Sequence, residues 1–373
     1  MINRFLEKRI LENLGKKKVL HIPGPRQTGK TTLLKKIASE YRQQVLWLNG
    51  DEADTRELFS NPTSTKIRTL IGKNDMVIID EAQRIKNIGI TLKIIADSLP
   101  EKKVVATGSS ALELANEINE PLTGRKTELF LFPISFREMC EHTSDMEEMR
   151  MLEHRIIYGY YPEVVSSPGE EKETLARLTD AYLYKDILAL EKVKRSSIIE
   201  KLLRALALQV GNQVSFNELG QIIGADNQTV ERYVDLLEKA YIVFSLGSLS
   251  RNLRNELKKS RKIYFYDNGI RNALIRNFNP PELRQDIGPL WENFLISERL
   301  KSTSYNLMWM NRFFWRTLAQ QEIDYVEEYD GKFYAFEFKW NEKSKGKISK
   351  TFTAAYPDNV SRIITRSNFL EFI

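Results

Sequence analysis

Gly24-Pro25-Arg26-Gln27-Thr28-Gly29-Lys30-Thr31 is the stretch whose reading decides the fold. It fits G-x-x-x-x-G-K-[ST] in full, between the apolar run Val19–Pro23 (VLHIP) and a helical pattern, KTTLLKKIASEY, that starts at Lys30. Glycines let backbone N–H groups turn inward around phosphate oxygens, and the following helix aims its positive N-terminus at the same anion. Lys30 is expected to reach the β- and γ-phosphates of ATP, and the Thr31 hydroxyl to sit on Mg²⁺. The expected nucleotide-binding set is Gly24, Pro25, Arg26, Gln27, Thr28, Gly29, Lys30, Thr31 and Thr32.

Moving outward, Met76-Val77-Ile78-Ile79-Asp80-Glu81 is an apolar strand that ends in two acids. Asp80 is expected to hold the magnesium shell. Glu81 is expected to orient or deprotonate the attacking water. The next apolar run ends in Thr107-Gly108-Ser109-Ser110, where Ser109, with Thr107 as the near alternative, is placed to contact the γ-phosphate or the lytic water. Arg125, in Leu122-Thr123-Gly124-Arg125, is a candidate to stabilise transition-state charge, from the same subunit or, in a ring, from a neighbour. Short β-branched runs (VLHIP, VLWLN, MVIID, VVAT) alternate with helical stretches up to about residue 140, which predicts a parallel sheet covered on both faces, an α/β fold.

The chain has 373 residues, enough for two or three domains at ~100–200 residues each. Hydrophobic residues at 42% and charged residues at 28% exclude collagen-like, mucin-like and disordered chains. The 56 basic and 50 acidic residues leave +6, which permits a nucleic-acid partner without establishing one. Cys140 alone rules out an internal disulfide framework, and His21, His142 and His154 have no ligand spacing. No apolar run reaches the ~18 residues of a membrane span, and MINRFLEKRILENLGKKK lacks a leader's apolar core. A cytoplasmic protein without a membrane partner is expected.

GPRQTGKTT, IIDEAQ, ATGSS, LTGRK and LFPISFREM occur in the order of a prokaryotic AAA-type ATPase family, which this chain resembles over nearly its whole length. GYYPE from Gly159, IYFYD from Ile263 and WENF from Trp291 extend the similarity. The resemblance implies three sections: a P-loop ATPase domain at 1–140, a helical lid and winged-helix region at 141–280, and a restriction-endonuclease-like α/β domain of unassigned function at 281–373.

In the middle section, 175–190 and 198–210 carry apolar residues at helical spacing. From Phe216, two helical runs flank Gly224-Ala225-Asp226 in a helix–turn–helix shape. Leu219, Ile222, Ile223, Val230, Tyr233, Leu236 and Leu237 are its expected core. Asn227, Gln228, Thr229 and Arg232 are expected on the exposed start of the second helix, where such motifs touch base edges. Residues 241–246 and 262–266 are expected to pair as a wing. Arg251, Arg254, Lys258, Lys259, Arg261 and Lys262 make a basic stretch suited to phosphates. Consecutive prolines make 277–286 the best linker candidate.

In the last section, Asp330-Gly331 between two alternating runs signals a hairpin. A two-residue turn there sets Asp324 opposite Glu337 and Glu322 opposite Lys339. Directly opposed Cβ atoms lie ~4.5–5.5 Å apart, so the two carboxylates repel unless something positive sits between them, and a hard divalent cation would serve. Lys339 shares their face, while Ile323, Tyr325, Phe336 and Phe338 take the core face. The pattern resembles the D…E-x-K signature of PD-(D/E)xK nucleases, except that Ile323 rather than proline precedes Asp324. The resemblance implies Asp324, Glu337 and Lys339 as catalytic residues, Glu292 as a further ligand of a second divalent metal, and DNA as substrate. The alternative is a nucleotide-dependent scaffold for a protein partner, with the nuclease-like fold kept and catalysis lost.

Overall fold

A computed structural model describes residues 1–109, 122–180, 196–249, 261–343 and 346–373. The chain forms two compact units, Met1–Ile134 with Lys239–Tyr241, and Ser135–Glu238 with Ile242–Ile373.

The first unit is built on strands β1 (Val19–Pro23), β2 (Val45–Asn49), β3 (Met76–Asp80), β4 (Lys103–Gly108) and β5 (Lys126–Glu128), in the order β2-β3-β4-β1-β5. Every pairing is parallel. β1 and β3 are buried along their whole length, as strands covered on both faces require. Val77, Ile79 and Ala106 of the sheet join Ile88, Leu92 and Ile95 of the helix Ile88–Ser98 in one core. The expected α/β fold is therefore present, and its parallel strands bring the turn after β1 and the acids after β3 to one edge.

The second unit places helices beside a seven-stranded mixed sheet made of β6 (Gln213–Val214), β7 (Val243–Ser248), β8 (Arg261–Phe265), β9 (Asn311–Arg316), β10 (Glu322–Tyr329), β11 (Lys332–Phe338) and β12 (Val360–Ile364). Its order is β12-β11-β10-β9-β7-β8-β6, with β7 parallel to β9 through Gly247↔Phe313. Residues from either side of 280 thus share one sheet. The segment 277–286 is tied down rather than loose. The Arg284 guanidinium donates to Asp286 at 2.9 Å, to the Asn277 carbonyl at 2.7 Å and to Asn272 at 2.9 Å. Prolines end regular structure there, but a buried arginine fixes the resulting turn.

Helices Phe216–Ile223 and Asn227–Lys239 form where two helical runs were expected, with residues 224–226 between them, and β7 and β8 pair antiparallel after them. Leu219, Ile223, Val230, Tyr233, Leu236 and Leu237 are buried. Ile222, expected in the core, is 55% exposed, because it falls outside the buried stripe of Leu219, Gly220 and Ile223. Arg251, Arg254, Lys258 and Lys259 lie outside the described residues, as do Ser110 and most of 175–190.

The β10–β11 hairpin has the expected register, Tyr325↔Phe336 through Tyr329↔Lys332. Asp330 and Gly331 both adopt positive φ, 49° and 74°, as a primed two-residue turn demands. Tyr325, Phe336 and Phe338 are buried together against Phe372, whereas Ile323, expected on the same face, packs with Val326 and Ala335, because the β10–β9 pairing shifts register between Ile323 and Val326. Among the described residues no helix is long and apolar enough to cross a membrane.

Candidate functional site

The loop after β1 folds as its glycines dictate. A Cβ on Gly24 would lie 2.1 Å from the Leu131 carbonyl oxygen, and Gly29 opens the next helix at φ 91°. Thr28 is fully buried, its hydroxyl donating to the Pro25 carbonyl at 2.8 Å. The Arg4 guanidinium braces the loop from the N-terminal segment, reaching the Thr28 carbonyl at 2.7 Å and the Phe132 carbonyl at 2.6 Å. The Lys30 ammonium lies inside the loop and donates to the Gly24 and Pro25 carbonyls at 2.9 and 2.7 Å. Arg26 is half-buried, while Gln27 and Thr32 are exposed around the same turn.

The acids after β3 meet this loop. The Thr31 hydroxyl donates to Asp80 Oδ2 at 2.7 Å, and the Thr107 hydroxyl donates to Asp80 Oδ1 at 2.6 Å. Two hard oxygen donors in contact, one from the loop and one from β3, fit a Mg²⁺ shell. Glu81 stands in the left-handed region at φ 49°, its amide donating to the Thr107 hydroxyl at 3.0 Å. Its Oε2 accepts from Gln83 Nε2 at 2.5 Å and from the Ser109 hydroxyl at 3.1 Å. Ser109 and Thr107 therefore divide the work at the end of β4: Ser109 holds Glu81 and Thr107 holds Asp80. Gln83 escaped the sequence reading, although its place two residues beyond a strand-ending acid pair was a usable signal.

A second cluster lies in the other unit. The helix Ile287–Tyr305 supplies Glu292, β10 supplies Glu322 and Asp324, and β11 supplies Glu337. Lys262 of β8, expected in a basic stretch facing phosphates, is instead 1% exposed. Its Nζ lies 3.0 Å from Glu292 Oε1 and 2.5 Å from Glu322 Oε1. Burial pulls this ammonium towards neutrality, yet the charges of Glu292, Asp324 and Glu322 win and hold its pKa well above the ordinary lysine range. Burial pushes Glu292 up to about 7. Burial also raises Asp324 and Glu337, and in Glu337 the charge of Asp324 adds to the effect.

The expected Glu322–Lys339 pairing gives way to two others. Lys339 Nζ contacts Glu337 on its own strand at 2.6 Å, and Glu322 is taken by Lys262. Lys262, buried away from water, depends on carboxylates for its partners and takes Glu322 as well as Glu292, while half-exposed Lys339 stays with Glu337. Among the described residues no group of three carboxylate, histidine or cysteine side chains is arranged to hold a metal ion, which departs from the expected set Glu292, Asp324 and Glu337. Lys262 was legible only as one of a run of cations, whereas its spacing of two from Tyr264 put both on one strand face.

Residues 16–140 match the family described as AAA domain. Over these residues the first unit is similar to an AAA-type domain. Residues 149–281 and 287–370 match families described as domains of unknown function, DUF8612 and DUF4143. An uncharacterized protein of Mycobacterium tuberculosis is 25% identical over 356 residues, covering 94% of this chain and 76% of its own length. One from Haemophilus influenzae is 28% identical over 283 residues, 68% of each chain. Among solved structures, the Thermotoga maritima RuvB Holliday junction branch migration motor aligns at 18% identity and TM-score 0.31, over 69% of this chain and 88% of that one. A Pyrococcus horikoshii signal-transduction ATPase with a tetratricopeptide repeat sensor aligns at 14% identity and TM-score 0.31, over 81% of this chain; the chain spans 45% of that structure.

Within the first unit, Arg125 is placed away from the loop after β1. Its carbonyl accepts from Val19 at the start of β1, about 13 Å of strand from the loop at the other end. Its side chain donates to Asp97 at 2.6 Å. Parallel pairing of β5 with β1 fixes this placement, so Arg125 does not serve the loop of its own chain.

Proposed function

We propose that the protein is a Mg²⁺-dependent ATPase of AAA type that works as a nucleotide-driven switch. The observation that carries this reading is the Thr31–Asp80 hydrogen bond at 2.7 Å, which joins the phosphate-binding loop to the strand that bears Glu81. Lys30 binds the β- and γ-phosphates, and Thr31 with Asp80 would hold the metal, whose charge offsets that of the phosphates. Glu81 orients the water and accepts its proton, while Ser109 and Gln83 hold its carboxylate. Lys30→Ala is expected to lose nucleotide binding. Glu81→Gln is expected to keep it, with kcat lower by roughly 10²–10⁴-fold. Equal binding and turnover in wild type and Lys30→Ala would sink the ATPase reading.

The partner we favour is DNA, through a winged helix formed by Phe216–Ile223, Asn227–Lys239, β7 and β8. Asn227, Gln228 and Arg232 are exposed at the start of the second helix, and Asp226 caps that helix by accepting from the Thr229 amide at 2.8 Å. Duplex binding by wild type and Arg232→Ala, measured across salt concentrations, tests this: weaker binding by the variant supports it, and identical isotherms leave the protein-scaffold reading. Residues 281–373 keep the D…E-x-K hairpin of the nuclease-like resemblance, and this reading gives them a binding role.

A further inference from the structure

In a metal-dependent hydrolase, carboxylates that converge from a helix and two strands turn their oxygens towards a divalent cation. Here at least one oxygen of each carboxylate is engaged by a protein group. Glu292 Oε1 accepts from Lys262 Nζ at 3.0 Å and from the Tyr264 hydroxyl at 2.5 Å. Glu322 takes Lys262 on one oxygen and Arg316 Nε, at 3.5 Å, on the other. Asp324 Oδ2 accepts the Phe338 amide at 2.8 Å, and Glu337 Oε1 accepts Lys339 at 2.6 Å. Glu337 Oε2 is a buried oxygen with no hydrogen-bond partner.

We propose that Lys262 takes the place of the divalent cation, its tethered ammonium bridging Glu292 and Glu322 and closing the carboxylate cluster to metal. The cluster is then an internal lock that ties β8 to β10 and to the helix Ile287–Tyr305, and the C-terminal region does not hydrolyse phosphodiesters. Three features support this, all independent of the ATPase reading. First, Lys262 cannot swing out at little cost, because its backbone is held between two strands, opposite Gln213 on β6 and Leu246 on β7. The Phe314 ring lies 5.6 Å from its ammonium, a further favourable contact for the cation.

Second, the charges nearly balance without a metal. Glu292, Glu322, Asp324 and Glu337 are met by Lys262, Arg316 and Lys339. A divalent ion added to this set would face the buried Lys262 ammonium at close range, where low dielectric magnifies the repulsion. Third, an ammonium has donors but no vacant orbital. It cannot bind a water molecule and lower its pKa, as a metal does to make a nucleophile at neutral pH.

The test is a Mn²⁺ titration of the full-length, nucleotide-free chain, with free Mn²⁺ followed by electron paramagnetic resonance and folding checked by circular dichroism. Wild type and Asp324→Asn are expected to bind alike. Lys262→Met is expected to gain one site that Lys262→Met/Asp324→Asn lacks. A Mn²⁺ site in wild type that Asp324→Asn abolishes overturns the proposal, and so does a folded Lys262→Met chain that gains none. If Lys262→Met does not fold, Lys262→Met/Glu322→Gln, which removes the donor together with one acceptor charge outside the expected metal set, replaces it under the same two criteria.

Discussion

Replacing Lys262 with methionine keeps most of the side chain's length and apolar stem while deleting its charge, so the stability change isolates the ion pair. Breaking a buried pair by removing one partner costs about 3–5 kcal/mol, because the surviving charge stays desolvated. Lys262 meets that condition, with 1% of its surface exposed and two carboxylates in contact. A domain of this size shifts by about 2–4 °C per kcal/mol, so the unit that holds Lys262 should melt roughly 10 °C lower. Glu292→Gln should be milder, since an amide oxygen still accepts from Tyr264 and Lys262 at the same position. The double variant Lys262→Met/Glu292→Gln should lose less than the sum of the two singles, by about 1–3 kcal/mol.

The pH dependence supplies an internal check on the same pair. Glu292 has its pKa raised by burial from 4.5 to about 7, so between these values the folded chain holds a proton that the unfolded chain releases. Its contribution is full below pH 4.5 and is lost as pH rises through 7. Glu292→Gln should remove that slope, and Lys262→Met, which strips the nearest cation, should carry it to higher pH. Melting curves by circular dichroism from pH 4 to 9 read all of this. A Lys262→Met unit that melts within 2 °C of wild type, or single losses that simply add, would refute the idea of a buried charge lock.

Two further outcomes follow from the geometry. A Cβ at Gly159 would lie 2.0 Å from Asp267 Oδ1, on a carboxylate that also accepts the Tyr160 and Gly269 amides, so Gly159→Ala should cost about 3 kcal/mol or more in urea unfolding. Gln83→Leu removes one of the two donors that hold Glu81, and kcat for ATP should fall about tenfold while nucleotide affinity is kept; unchanged kcat would remove Gln83 from the site.

Much of the nucleotide site was legible because its chemistry is local. Nine consecutive residues from Gly24 to Thr32 set the loop, its glycines and the helix start, and the four apolar residues before Asp80 read as a buried strand. The β10–β11 register was equally local, since Asp330-Gly331 fixes the turn, whereas the face taken by Ile323 was not, because the pairing with β9 shifts register between Ile323 and Val326. Gln83 was harder, because its place two residues beyond an acid pair is only a weak local signal, and its contact with Glu81 forms when the chain turns back on itself.

Neighbouring residues alone thus fix the phosphate-binding loop, the α/β class and the register of the β10–β11 hairpin from Tyr325↔Phe336 to its turn. Only tertiary structure decided what the hairpin's carboxylates face and what Arg125 is near. Lys262 stands 60 residues before Glu322, and their contact exists because β7 joins β9 and carries β8 into the same sheet. Arg125 reads as a neighbour of the site until parallel pairing sends it to the far end of β1. Where strand pairing is regular, local spacing fixes which side chains share a face. Which opposite charge reaches that face depends on sheet order, and no window of neighbouring residues encodes it.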